Sequence, residues 1–244
     1  MSFAAINRIF RLFPYAFMLA WLPQPALALA YSDVTYTCPL DGETFSYQAV
    51  NSYSQSGMQL DMRPIGALVA PRPMPVCPGS GFVVYRDDFN DEEISIFRQL
   101  VQAPEYRALR EAETDYFVAA HQAGKLGEDT WTIAILTLQA TWEVQEKPEK
   151  YSRYAVLALT RLEEAGKDIS PVGESREQWW TAKLLVVNFH RRLSKFDAAE
   201  RLLAELPYPD EPEDSGYRAV GERLADLIAR KESAVAELEP RDGQ

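Results

Sequence analysis

Two cysteines, Cys38 and Cys77, stand in similar local sequences and are the only thiols of the chain. They begin the stretches CPLDGETF and CPGSGFVVY, which keep the Cys-Pro start and the glycine of the turns on which zinc ribbons hold their metal. In such turns a second cysteine stands three positions after the first, and here those positions hold Asp41 and Ser80. The pattern leaves three alternatives, which are a disulfide, free thiols and a metal site.

A disulfide between Cys38 and Cys77 is the alternative that the residues favour. A structural zinc ion takes four ligands, and the two thiolates with Asp41 supply only three. The two histidines, His121 and His190, fall in predicted helices far from both turns. An even pair of cysteines in an exported protein normally forms a bridge. We therefore predict a Cys38–Cys77 disulfide and no cofactor, with a zinc module built on Cys38, Asp41 and Cys77 as the alternative.

Residues 1–30 have the layout of a secretory signal peptide. Arg8 and Arg11 precede an apolar run from Leu12 to Leu22, and small residues stand at positions 28 and 30. The run is too short for a transmembrane helix, which needs roughly 20 residues. We expect cleavage after Ala30, export to the periplasm or the exterior of a Gram-negative-type cell, and no stable transmembrane span after cleavage.

Charge and motif content argue against two classes of function. The formal net charge is −11, and a chain this acidic repels the phosphate backbone of nucleic acid. The sequence contains no G-x-S-x-G, P-loop, G-x-G-x-x-G or H-E-x-x-H motif. Acidic runs at residues 86–93 and 209–214 leave an acid-pair hydrolase as a minor alternative. We predict that the protein is not an enzyme.

The chain divides into two parts with different sequence patterns. Residues 31–89 are rich in proline and glycine, which predicts a small irregular or β module closed by the disulfide. Residues 90–238 show helical periodicity in about seven segments joined by short connections, which predicts antiparallel helical hairpins. Residues 239–244 are predicted to form a disordered tail. The predicted fold class is mainly α.

Several helix boundaries are predicted from local signals. Asp129 has the position of an N-cap residue, and residues 105–124 read as one continuous helix. Gly166 is expected to end a helix, and the sequence SREQ from Ser175 has the form of a capping box. The segment LSKFDAAERLLAELP, residues 193–207, resembles the second half of a tetratricopeptide repeat, with Ala199 at the expected close contact between helices.

The whole arrangement resembles a bacterial family known as domain of unknown function 2225. The segments that carry the resemblance are TCPLDGETF, LDMRPIG, VCPGSGFVVY, APEYRALR and WTIAILTLQATWEVQ. The resemblance implies two zinc-ribbon-like turns, here called knuckles, followed by tetratricopeptide-like helices over most of the mature chain, and it implies no activity. The chain departs from the family pattern at Asp41 and Ser80, where the family has cysteines.

These observations predict an exported, non-enzymatic scaffold that binds another envelope protein or a peptide. Stacked helices present extended grooves, which suit binding rather than chemistry. The groove candidates are Trp142, Tyr151, Tyr154 and Trp180, each with packing in the core as the alternative role. Because Trp179 and Trp180 are adjacent in a helix, they cannot both face the core, so we expect one of them at a surface.

Overall fold

A computed structural model describes residues 29–67, 70–208 and 215–238. The described residues are about 55% helical, which confirms the mainly α prediction. The predicted signal peptide, except for its last two residues, and the predicted tail 239–244 lie outside the described residues. The expected cleavage point after Ala30 falls within the first strand. No helix among the described residues is long and apolar enough to cross a membrane.

The N-terminal part is built from a long hairpin and a small sheet. Strands β1 (Leu29–Thr37) and β2 (Thr44–Tyr53) pair antiparallel, with Tyr36 opposite Phe45. Strands β3 (Gln55–Gln59) and β4 (Pro64–Gly66) form a second antiparallel pair. The last strand, β5 (Glu237–Leu238), adds to the other edge of β3, so the end of the described chain returns to the N-terminal part.

Eight α-helices follow in the described part of the chain. They are α1 (Asp91–Leu100), α2 (Pro104–Ala112), α3 (Asp115–Leu126), α4 (Thr130–Glu143), α5 (Pro148–Asp168), α6 (Arg176–Arg192), α7 (Phe196–Ala204) and α8 (Ser215–Ala229). From α3 to α7 each helix packs against the next, and α8 packs against both α6 and α7. A short 3-10 helix, Gly173–Ser175, precedes α6.

Some predicted boundaries are confirmed and others are wrong. Asp129 caps α4, because its side chain accepts a hydrogen bond from the Thr132 amide at 2.9 Å. The continuous helix predicted over 105–124 is instead two helices, broken at Glu113 and Thr114. The helix predicted to stop at Gly166 continues to Asp168.

The SREQ capping box does not form, although the helix it was expected to start begins at the next residue. No side-chain hydrogen bond caps α6 at Ser175. The Ser175 hydroxyl instead donates to the Ser170 carbonyl at 3.3 Å. The amide of Arg176, the first residue of α6, donates to the Gly173 carbonyl in the preceding 3-10 turn.

One hydrophobic cluster joins the N-terminal part to the helices. It contains both cysteines, Phe82 and Val83 together with Phe97 and many residues of α3 to α6. A second cluster, around Trp180, joins α6 to α7 and α8 and includes the fully buried Ala199. Residues 31–89 thus obtain much of their burial from the helices, because a segment of this size has little core of its own.

Candidate functional site

The two cysteine turns have the same backbone hydrogen bonds. At the first turn, the Cys38 carbonyl accepts from the Gly42 amide at 2.9 Å and the Cys38 amide donates to the Glu43 carbonyl at 2.8 Å. At the second, the Cys77 carbonyl accepts from the amide four residues later at 2.8 Å, and its amide donates to the carbonyl five residues later at 2.9 Å. The two knuckles are therefore structural repeats of one turn.

The residues that replace the second cysteines hold the turns closed by hydrogen bonding. The Asp41 carboxylate accepts from the Glu43 amide at 2.9 Å, and the Ser80 hydroxyl accepts from the Phe82 amide at 3.2 Å. Each side chain bonds to the backbone two residues later, as Asx and ST turns do. At both positions the side chain forms a local hydrogen bond, whereas the corresponding residue of a zinc ribbon binds the metal.

Cys38 and Cys77 lie at disulfide distance, with their sulfur atoms 2.16 Å and their Cα atoms 5.5 Å apart. Both residues are buried, with 1% and 0% of their surface exposed. Within residues 29–67, 70–208 and 215–238, no group of three or more His, Cys, Asp and Glu side chains is placed to hold a metal ion. The zinc module of Cys38, Asp41 and Cys77 remains a prediction for mass spectrometry to test.

Both knuckles are hydrogen-bonded to the first helices. The Arg98 side chain of α1 donates to the Leu40 carbonyl at 2.7 Å, in the first knuckle. The Tyr106 hydroxyl of α2 donates to the Gly81 carbonyl at 2.8 Å, in the second. Gly81 has a φ of +67°, a left-handed backbone conformation that favours glycine.

The four groove candidates predicted from the sequence are buried. The exposed fractions of Trp142, Tyr151, Tyr154 and Trp180 are 8%, 8%, 0% and 2%. Tyr154 stacks on Phe117 with the ring centroids 4.4 Å apart. The structure therefore places these side chains in the core, the alternative role considered for each of them.

The four candidates do not meet in one groove. The Tyr154 hydroxyl donates to the Glu113 carboxylate at 2.6 Å, beside α2, whereas Trp180 stacks between Tyr208 and Tyr217 near α8. The indole N–H of Trp142 is buried without a hydrogen-bond partner among the described residues. Of the four, only Trp142 lines one of the cavities described below.

Trp179, not Trp180, is the tryptophan of the pair that reaches a surface. It lines a cavity of about 390 Å³ between α5, α6 and α7, which we call the helical groove. Its apolar lining comprises Leu162, Val186, Val187, Leu202, Leu206 and Pro207. Its charged lining comprises Glu163, Lys167, Lys183 and Glu205. The Lys183 ammonium lies 5.5 Å from the Trp179 ring centroid, within cation–π range.

A second cavity, of about 410 Å³, lies where the N-terminal part meets the helices, and we call it the junction cavity. One side is the segment around Pro71 and Pro73, and the other is the start of α3 and the end of α4. Its charged lining comprises Arg63, Arg72, Asp115, Glu143 and Glu146. Burial, reinforced by the Asp115 carboxylate, raises the pKa of Glu143 to about 7.

Sequence reasoning did not identify these charged residues because they come from separate segments that only the fold brings together. The one local signal was the position of Glu143. It directly follows the apolar run of α4 and the predicted candidate Trp142, so part of its side chain had to be buried with that helix. Nothing in the sequence around Arg63 or Arg72 indicated that the fold places them in the same cavity as Glu143.

Comparison of the chain with models of known families, with curated proteins and with solved structures finds no match in any of the three. The resemblance to the family of domain of unknown function 2225 therefore remains a prediction from the sequence.

Proposed function

We propose that the protein is a non-enzymatic scaffold that binds a peptide segment of another envelope protein in the helical groove. The observation that carries this proposal is the composition of the groove, which combines an apolar lining, a partly exposed tryptophan and charges of both signs. Binding interfaces commonly place an aromatic or aliphatic anchor in an apolar centre and surround it with a polar rim.

The geometry of α6 supports this assignment. Trp180 is buried against α7 and α8, and its partly buried neighbour Trp179, which packs at the edge of the same cluster, lines the groove between α5, α6 and α7. A tryptophan beside apolar side chains can cover an aliphatic side chain of a bound peptide. Glu163 and Lys183 at the rim can form ion pairs with residues on either side of that anchor.

The proposal includes the compartment and the architecture. We infer that residues 1–30 direct export, that the Cys38–Cys77 bridge replaces the metal of zinc-ribbon relatives, and that the helices pack as tetratricopeptide-like hairpins. The succession of neighbouring helices from α3 to α7 supports the last point, because stacked hairpins place consecutive helices side by side.

Site-specific photo-crosslinking tests the binding site. A photoreactive amino acid at Lys183, inside the groove, should crosslink a discrete partner in envelope fractions of expressing cells. The matched control carries the same group at Val172, which is 69% exposed and does not line the groove. A Trp179→Ala substitution should abolish the adduct formed from position 183. Identical adducts from both positions, or none from position 183, would contradict the proposal.

The zinc module is the alternative function, and the repeated hydrogen-bond pattern of the knuckles is the observation that favours it. The mass of the intact protein distinguishes the disulfide-bridged protein from the zinc module. A bridged protein lacks two hydrogen atoms and carries no zinc, whereas a metal module carries zinc and cysteines that can be alkylated.

A further inference from the structure

The junction cavity contains charges of both signs that do not pair with one another. Asp115, Glu143 and Glu146 belong to α3 and to the end of α4, whereas Arg63 and Arg72 belong to the N-terminal part. Among the described residues, no ion pair joins either arginine to any of these three carboxylates. Two opposite sets of charge thus line one cavity.

Two other partly buried charged residues of the described chain, Arg86 and Glu113, are paired with opposite charges. Arg86 binds three carboxylates, those of Asp88, Glu93 and Glu128, at 2.6 to 2.9 Å. The Glu113 carboxylate forms an ion pair with Arg153 at 2.6 Å. Glu143, also partly buried, accepts instead from the backbone amide of Tyr116 at 3.2 Å. Glu143 therefore differs from Arg86 and Glu113, because no ion pair involves its carboxyl among the described residues.

The cavity walls are held in place by hydrogen bonds between segments. The Tyr116 hydroxyl donates to the Arg72 carbonyl at 2.8 Å, which joins α3 to the opposite wall. The Arg63 guanidinium donates to the Gln145 side chain, whose amide nitrogen donates to Gln59 at 2.9 Å. These bonds hold the walls of the cavity in place before a ligand binds, which lowers the entropic cost of binding.

We propose that the junction cavity binds a small zwitterion, an amino acid or a dipeptide. Its ammonium group would lie at Asp115 and Glu143, and its carboxylate group at Arg72. The positive end of such a ligand would pair with the two carboxylates, and its negative end would pair with the arginine. The ligand would thus supply ion pairs that the protein itself does not form across the cavity. A cavity of about 410 Å³ is large enough for a molecule of this size.

The state of Glu143 supports the ammonium end of this arrangement. Burial raises the pKa of its carboxyl to about 7, because the hydrogen bonds from Thr114 and Tyr116 and the charge of Lys147 do not offset the loss of water. A bound ammonium group would favour the carboxylate form and release a proton near neutral pH. Ligand binding to Glu143 should therefore be accompanied by proton release, a signal that binding elsewhere on the surface would not produce.

Thermal-shift and calorimetric titrations with free amino acids and Ala-Ala test the proposal. We expect at least one zwitterion of this panel to bind saturably. Its N-acetylated and its carboxyl-amidated derivatives should each bind at least about tenfold more weakly, since each lacks one charge. Calorimetry in two buffers of different ionisation enthalpy should detect the released proton.

Two substitutions and a matched control locate the site. Arg72→Gln and Glu143→Gln should each weaken binding of the zwitterion at least about tenfold. Arg107→Gln changes another exposed arginine, on α2 and outside the cavity, and should leave binding unchanged. Three outcomes would overturn the proposal: no saturable binding in the panel, equal binding of the blocked derivatives, or unchanged binding by both cavity variants.

Discussion

The side chain of Gln122 in α3 forms two hydrogen bonds with the backbone of Val83. Its Oε1 accepts from the Val83 amide at 3.1 Å, and its Nε2 donates to the Val83 carbonyl at 3.0 Å. These are the two bonds that a residue in a neighbouring antiparallel strand would supply. Both residues are buried, with 0% and 1% of their surface exposed, so water cannot substitute for the amide. Gln122 thus anchors the second knuckle to α3, in addition to the bond from Tyr106 of α2.

Replacing Gln122 with leucine should lower the free energy of unfolding by about 2–4 kcal/mol, because it leaves the buried N–H and C=O of Val83 without partners. The measurement is urea denaturation followed by circular dichroism. Gln99→Leu, at an exposed position of α1, is the control and should change stability by less than about 0.5 kcal/mol. An equally small effect for Gln122→Leu would show that the amide is not the anchor.

Removing the bridge with the double substitution Cys38→Ala and Cys77→Ala should lower the free energy of unfolding by about 4 kcal/mol. The bridge spans 39 positions, and a chain constrained over a loop of this length loses that much conformational freedom when unfolded. Reduced wild-type protein is the matched comparison and should unfold at nearly the same denaturant concentration as the double variant. If oxidised and reduced protein are equally stable, the bridge does not hold the knuckles together.

The sequence predicted the helical region of the chain better than it predicted the ends of the individual helices. Apolar periodicity identified the helical region, and the Asp129 cap is confirmed because capping depends on neighbours in sequence. The prediction that a helix ends at Gly166 was wrong because this glycine serves the packing between helices and not the end of one. It is buried in α5, and a Cβ there would lie 3.7 Å from the Cβ of Ala182, so it lies where α5 and α6 pack closely.

The break between α2 and α3 was missed because it is stabilised mainly across the fold. The Glu113 carboxylate accepts from Arg153 and Tyr154 of α5, which fixes the end of α2. Thr114 and Asp115 are residue types that favour helix starts, and they were the local signal that could have predicted the break. The junction cavity could not be predicted in this way, since its walls come from segments far apart in sequence.

Stability should decrease as the pH rises from about 4.5 to about 7, through the titration of Glu143. Its pKa is raised from 4.5 to about 7 in the folded protein. In this pH range the unfolded chain has lost the proton that the folded chain retains, so the free energy of unfolding falls with pH. Below this range both states are protonated, and above it both are ionised. The Thr114 side chain, Asp115, the backbone amide of Tyr116 and Lys147 act on the same carboxyl.

Glu143→Gln isolates this effect because glutamine has a similar shape and no titration. The variant should gain on the order of 2 kcal/mol over the wild type at pH 8 and little at pH 4. Urea denaturation across this pH range is the measurement. Glu111→Gln, at an exposed position of α2, should follow the wild-type profile. Parallel profiles for Glu143→Gln and the wild type would show that Glu143 is ionised throughout.

Arg191 is fully buried and holds the C-terminal segment against α6 without a carboxylate partner among the described residues. Its guanidinium donates to the carbonyls of Glu232 and Ala234 at 2.6 and 2.9 Å, and twice to the Asn188 side chain. Burial lowers its pKa to about 10, so it keeps its charge at neutral pH. The segment it holds leads directly to β5.

Arg191→Met should therefore lower the free energy of unfolding by about 3 kcal/mol and detach β5 first, because both carbonyls lose a charged donor. Hydrogen exchange gives the second readout, since the Leu60 amide donates to the Ala236 carbonyl and should lose protection. Arg191→Lys should restore little stability, because one ammonium group cannot reproduce the planar guanidinium. Arg161→Met removes only a surface ion pair with Glu164 and should change stability by less than about 1 kcal/mol. Unchanged protection of Leu60 in Arg191→Met would show that β5 is held by its strand pairing alone.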